Sequence, residues 1–109
     1  AAPDPERVKV GDALIRKGAF GCVDCHAVGT QPALAGADTV TINFAYVPQR
    51  LRREYYDRYL QDPPRWLPGT MMPRFIGDDG RTGITAYFEG RPAAQFDAIW
   101  HFLRTVPAP

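Results

Sequence analysis

The chain has 109 residues, 45% of them apolar, and a formal net charge of +1. That length fits one compact domain with a small core, a size at which a cofactor or cross-links often add stability. The near-neutral charge argues against nucleic acid or a membrane surface as the partner; no apolar run approaches a membrane span, and no signal peptide with a charged start and apolar centre is visible.

In chain order, AAPDPE opens the sequence and VPAP closes it. Residues 1–5 and 106–109 read as linker-like ends of a single domain spanning 1–109, as in a piece of a larger protein. The first helix is predicted over DPERVKVGDALIRKG: Asp4 suits the cap, Pro5 the first helical position and Gly18 the stop, with Val8, Gly11, Leu14 and Ile15 at helical spacing. CVDCH follows at 22–26, then a small-residue loop, AVGTQPALAGAD. VTINFAYV alternates over part of its length, which suits extended chain, a short strand or an irregular segment. A second helix is predicted from near Pro48 through QRLRREYYDRYLQ, with Leu51, Tyr55 and Tyr59 one turn apart and Pro63-Pro64 as the stop. Within 75–91, an Asp79-Gly80 turn would close a small hairpin. A third helix is predicted over roughly 92–105, with Phe96, Ile99, Trp100 and Leu103 as its apolar stripe. The fold class is therefore mostly α, with long loops.

The chain holds two cysteines and two histidines, and three of these four side chains lie within CVDCH. Three chemistries use such a cluster. A redox dithiol at Cys22 and Cys25 expects a strand-to-helix junction in a parallel α/β fold, and no such alternation is present. Zinc wants about four ligands, and Cys22, Cys25, His26 and the distant His101 could be counted so; adjacent Cys25 and His26, however, would struggle to bind one tetrahedral ion together. A c-type haem uses every member: two thiols become thioethers on the porphyrin vinyl groups, and the next residue, His26, lies beneath the iron. A second iron ligand is available in LPGTMMPRF at 67–75. The only two methionines of the chain are adjacent there, in a Pro- and Gly-rich loop where a core-filling methionine is not expected.

With those residues in view, the sequence resembles the class I mono-haem cytochromes c, the His/Met-ligated family related to mitochondrial cytochrome c. QPALAG at 31–36 resembles the family's G-P-N-L-x-G, YLQDPPRWLPGTMMP at 59–73 resembles Y-L-x-N-P-x-x-Y-x-P-G-T-x-M, and FDAIWHFL at 96–103 resembles A-D-L-I-x-Y-L. The resemblance spans roughly residues 8–105. It implies a cytochrome c fold, three or more helices wrapped around one covalently bound haem c. Carried over by position, it implies that Cys22 and Cys25 hold the haem and that His26 and Met72 are its axial ligands. Pro32 would offer its carbonyl to the other ring nitrogen of His26, and Leu34 would pack on the proximal side. Tyr59 would lie near the Met72 sulfur, Trp66 near the haem edge in place of a family tyrosine, and Thr70 would bond a propionate. Gly11 and Phe102 would meet where the first and last helices cross. The sequence departs from the family in RKGAFGC, which adds residues before Cys22, and in a missing tryptophan, where Leu51 falls in register and Arg50, Arg52 or Arg53 would have to bond the propionate.

A His/Met pair fills both axial positions, which suits one-electron transfer and not oxygen or peroxide chemistry. The expectation is an electron-transfer protein and not an enzyme, either a soluble carrier or a tethered relay module of a larger exported redox protein. The alternative is a haem enzyme or ligand-binding sensor in which Met72 dissociates. Partners would be redox proteins or a fused redox domain, with no nucleic acid and no membrane span in this chain, which is expected to be a monomer. Covalent attachment implies a periplasmic or otherwise exported location. Arginines at 50, 52, 53, 58 and 65 read as a solvated helix surface, because Glu54, Asp57 and Asp62 interleave with them, and His101 reads as an exposed helical histidine rather than a ligand.

Overall fold

Asp4 and Pro5 open the first helix as their chemistry dictates. Asp4 accepts from the Glu6 and Arg7 amides at 2.9 and 3.3 Å, satisfying donors that a helix start leaves open, while Pro5 has no amide to satisfy. In this computed structural model, which describes residues 2–34, 42–70 and 72–109, that helix is α1, Pro5–Leu14. It is followed by α2 (Cys22–Cys25), α3 (Val47–Arg50), α4 (Arg53–Gln61), α5 (Pro63–Trp66) and α6 (Pro92–Leu103), with 3-10 turns at Phe44–Tyr46 and Phe88–Gly90. Among the described residues there is no strand, only isolated antiparallel bridges at Val28–Gln31 and Ile76–Thr82. Met71 and the parts of QPALAG and VTINFAYV that fall within 35–41 lie outside the described residues. The Cα radius of gyration is 13.2 Å, matching the value of about 13 Å for a folded chain of this length.

The frame is the crossing of α1 and α6. Glycine within a helix is unfavourable by roughly 1 kcal/mol against alanine, and Gly11 has a packing reason to be there. A Cβ on it would run into the Ala98 carbonyl and come within 2.9 Å of Ile99 Cα. The expected partner was Phe102; the backbone that meets Gly11 is instead at Ala98–Ile99, one turn earlier. Two small residues face each other there, and only that pairing lets the two backbones approach so closely. Leu14, Ile15, Ala98, Ile99 and Leu103 are buried around the crossing.

The second helix is not continuous. α3 ends where Leu51 turns extended (φ −103°, ψ 138°) and Arg52 follows it (φ −69°, ψ 145°), before α4 begins at Arg53. The break changes the inward face. Tyr56 and Leu60 are buried, whereas Tyr55, expected on the apolar stripe, is 44% exposed. Tyr56 donates its hydroxyl to the Phe96 carbonyl at 2.6 Å, and the Arg53 guanidinium bonds Asp97 at 2.8 Å, so α4 is registered on α6 by polar contacts that the stripe did not include. Pro63-Pro64 does end α4, and Pro63 then serves as the first residue of α5.

The hairpin expected in 75–91 is reduced to a tight turn. The Gly77 and Gly80 amides donate to Arg81 and Gly77 carbonyls at 2.8 and 3.0 Å, and the Ile76–Thr82 bridge is the only sheet-like pairing there. α6 carries the predicted stripe, with Phe96, Ile99 and Leu103 buried and Trp100 half-buried. His101 is not the exposed residue expected. It is half-buried, accepts from the Asp4 amide at Nδ1 (3.0 Å) and lies 3.6 Å from Asp97, because the start of α1 packs over it. Near the C-terminus, Val106 is half-buried and packs against the core, beside Gly29.

Candidate functional site

The extra residues before Cys22 have a definite role. After α1, the Phe20 and Gly21 amides donate to the Leu14 and Arg16 carbonyls (2.9 and 3.1 Å), and the Val23 amide donates to Ile15 (3.1 Å). Orphan carbonyls at the end of α1 thereby carry the start of α2. Gly21 precedes Cys22 in the left-handed region (φ 71°), which glycine enters without a Cβ clash. Phe20 packs its ring 4.7 Å from Phe75 and 5.9 Å from Phe96, so α2 is fastened to the core through its own entry turn.

The single turn of α2 carries both cysteines, with Val23 buried between them. No disulfide links Cys22 and Cys25. Burial pushes the Cys22 thiol up to about 12, with Asp24 and Cys25 adding to the rise against a backbone hydrogen bond. His26 leaves the turn extended (φ −113°, ψ 130°). Its Nδ1 lies 2.8 Å from the Ile42 carbonyl. A carbonyl only accepts, so Nδ1 carries the proton and the lone pair of the neutral ring is on Nε2. Burial, the larger effect, pushes the imidazole below its usual range and favours the neutral ring at pH 7, while the Ile42 carbonyl pulls the other way.

The sequence reading assigned that second-nitrogen contact to the Pro32 carbonyl. Pro32 is exposed, just past the Val28–Gln31 bridge that closes a tight turn, and Ile42 supplies the acceptor in its place. Asn43 holds Ile42 there. Its side chain accepts from the Gly29 and Ala45 amides and donates to the Gly29 carbonyl, all at 2.9 Å, while the Phe44 amide donates to Ala27 at 2.9 Å. The Phe44 ring covers the imidazole at 4.1 Å between centroids. Ile42, Asn43 and Phe44 were missed in the sequence. The available signal was Asn43 as a cap directly before a helical run, obscured by reading VTINFAYV as alternation.

Met72 lies on the other loop, half-buried against the same core that Cys22 packs on. Leu67–Thr70 form a turn in which Thr70 donates to the Leu67 carbonyl at 3.1 Å and Gly69 is left-handed (φ 87°), as the third residue of a type II turn requires. Thr70 Oγ1 then accepts from the Met72 amide at 3.2 Å. The Tyr59 ring stacks on Tyr55 at 5.9 Å, and Trp66 donates its indole N–H to the Arg58 carbonyl at 3.1 Å. Leu34 is tied to Val23 by a 2.9 Å backbone bond, with its side chain exposed.

The structure thus gathers Cys22, Cys25 and His26 on one turn and sets Met72 against the core that this turn rests on. His101 accepts from the Asp4 amide and lies 3.6 Å from Asp97, and among the described residues no three His, Cys, Asp or Glu side chains converge as a metal site. An open cleft of about 240 Å³ is lined by Ala45, Pro48, Gln49, Leu103, Arg104 and Val106, none of them a site residue. No family model matches the chain, and no curated protein matches it either.

Proposed function

We propose that this chain is a one-electron transfer protein or domain holding one covalently attached haem c, as its resemblance to the class I cytochromes c implies. The observation that carries the reading is the His26 turn: two cysteines and an imidazole in five residues, with Nδ1 fixed on a backbone carbonyl so that Nε2 is the nitrogen left to ligate. Fixing the second nitrogen in this way is how ligating histidines are generally oriented. A half-buried thioether, Met72, on a turn-rich loop supports it. So do large apolar side chains left exposed on the segments next to these ligands: Leu34 at 58%, Ile42 at 37%, Trp66 at 44% and Leu67 at 55%. Apolar surface of this kind, on segments flanking candidate ligands, is what a flat hydrophobic group would cover.

Bound haem would supply a metal that changes its charge by one electron at a time. Cys22 and Cys25 would supply the thiols that tether the group through its vinyl substituents, and His26 Nε2 and the Met72 sulfur would be its ligands. Thioether in place of a second imidazole raises the potential, and the apolar residues around the turn do the same by disfavouring the more charged state. His26 and Met72 together would hold the metal as a ligand pair suited to electron transfer rather than to substrate binding. By the same resemblance Leu34, Tyr59, Trp66 and Thr70 would surround the group, with Ile42 in the role the resemblance gives to Pro32. Maturation of this kind belongs to an exported compartment, periplasmic in a bacterium, with redox proteins or a fused redox domain as partners. No helix among the described residues is long and apolar enough to cross a membrane.

The test is expression in cells competent for haem attachment. Mass spectrometry is expected to find one haem per chain, and the ferric spectrum to show the weak far-red band of methionine–iron ligation, lost in Met72→Ala and kept in His101→Ala. A folded chain carrying no haem sinks the proposal. Rapid carbon monoxide binding to the reduced protein would move it to the enzyme or sensor alternative.

A further inference from the structure

The first turn of α6 carries a polar residue where the core has no room for an unsatisfied one. Gln95 is completely buried, and a buried amide is tolerated only when its donors and acceptor are used. They are: Gln95 Oε1 accepts from the Thr82 hydroxyl at 2.6 Å, and Nε2 donates to the Ile84 and Tyr87 carbonyls at 2.7 and 2.9 Å. One side chain therefore grips three residues of the segment 82–87.

That segment needs gripping. Phe88, Glu89 and Gly90 are consecutive left-handed residues (φ 51°, 54° and 76°), and two of them carry side chains. Such a run is unfavourable for L-residues and persists only where its surroundings over-determine it. Here the Thr82 amide donates to the Gly90 carbonyl at 2.8 Å and the Arg81 guanidinium to the Glu89 carbonyl at 2.8 Å. A Cβ on Gly90 would stand 2.9 Å from the Thr82 carbonyl oxygen. Thr82 is also the bridge partner of Ile76. Ile76 follows Phe75, whose ring packs on Phe20, and Phe75 is three residues from Met72. A continuous set of contacts runs from Gln95 through Thr82 and Ile76 to the downstream end of the methionine loop.

We infer that Gln95 is a positioning residue for Met72: it clamps the 76–90 segment to α6 and thereby fixes the end of the loop that presents the thioether. This rests on the haem reading above. A ligand on a fixed loop competes with outside ligands through its effective concentration, and a loosened loop lowers that concentration.

The test uses the holoprotein and imidazole as the competing ligand, titrated into the ferric form while the far-red band is followed. Gln95→Met, similar in shape without the amide, and Thr82→Val, lacking only the hydroxyl, are each expected to lower the imidazole concentration for half-displacement of Met72 by about tenfold, the scale of one or two lost hydrogen bonds. Asp97→Asn, which weakens the α1–α4–α6 contacts away from this segment, is expected to lower the denaturant midpoint and leave the imidazole titration unchanged. If Gln95→Met does not keep its helical circular dichroism, Thr82→Val decides. A wild-type imidazole titration in the folded variants, whatever their stability, overturns the inference while the proposed function stands. A chain without haem removes both.

Discussion

The two candidate axial ligands are held by different means. His26 is pinned by direct contacts to its own ring, all from one segment further along the chain: its ring nitrogen by Ile42, its ring face by Phe44, and the surrounding chain by three bonds from Asn43. Met72 has one local backbone contact, to Thr70, and otherwise depends on packing and on a segment anchored to α6. The His26 ring is thus oriented by contacts made to the ring itself, whereas Met72 is oriented only through the loop that carries it. Changes to the core should therefore be felt unequally on the two sides.

The largest effect is expected where both sides share a support. Gly11→Ala places a Cβ against the Ala98 carbonyl, and since backbone must move, the loss is about 3 kcal/mol, read as a fall in the denaturant midpoint, with helicity and both ligands lost together. Loss of one side alone would mean the crossing is not the common frame. Next, Asn43→Ala removes three bonds and is expected to cost about 2 kcal/mol. In the holoprotein it should disturb the His26 side, seen as a changed potential, while the imidazole titration of Met72 stays near wild type; equal disturbance of both would erase the distinction drawn above.

The smallest effect is at Tyr56→Phe, beneath both sides. Below pH of about 10, where an ordinary tyrosine is protonated, the variant is expected to be less stable by about 1 kcal/mol for the lost bond to the Phe96 carbonyl. Burial holds the Tyr56 hydroxyl well above its ordinary range, with Cys22 adding to the rise and Arg53 opposing it. A group whose folded value is raised contributes stability below its unfolded value and loses it as pH rises further. The gap between wild type and variant should therefore narrow above pH of about 10, in urea unfolding of the haem-free chain. A gap that widens with pH would show that Tyr56 is not the buried, protonated group described.

Parts of this were readable in the residues. Asp4 and Pro5 mark a helix start from their own chemistry, Pro63 marks an end, and the spacing in CVDCH carries its functional reading with no fold around it. The break at Leu51 was not readable, because local propensity favours continuing the helix; what opposes it is Tyr56 and Arg53 reaching Phe96 and Asp97 some forty residues away. His101 was misread for the same reason, since nothing near it in sequence announces that Asp4 will cover it.

Composition and local pattern by themselves determined a mostly helical chain, the starts of its first and last helices, and the cluster of thiols and imidazole that defines the candidate site. Tertiary structure alone decided that Ile42 and not Pro32 faces His26, that Ala98 receives Gly11, and that Gln95 grips the segment beyond Met72. The reason is physical: caps, turns and short ligand spacings are satisfied within a few residues, whereas a buried acceptor or amide takes whichever partner the folded backbone brings within reach, and that choice is made across the whole chain.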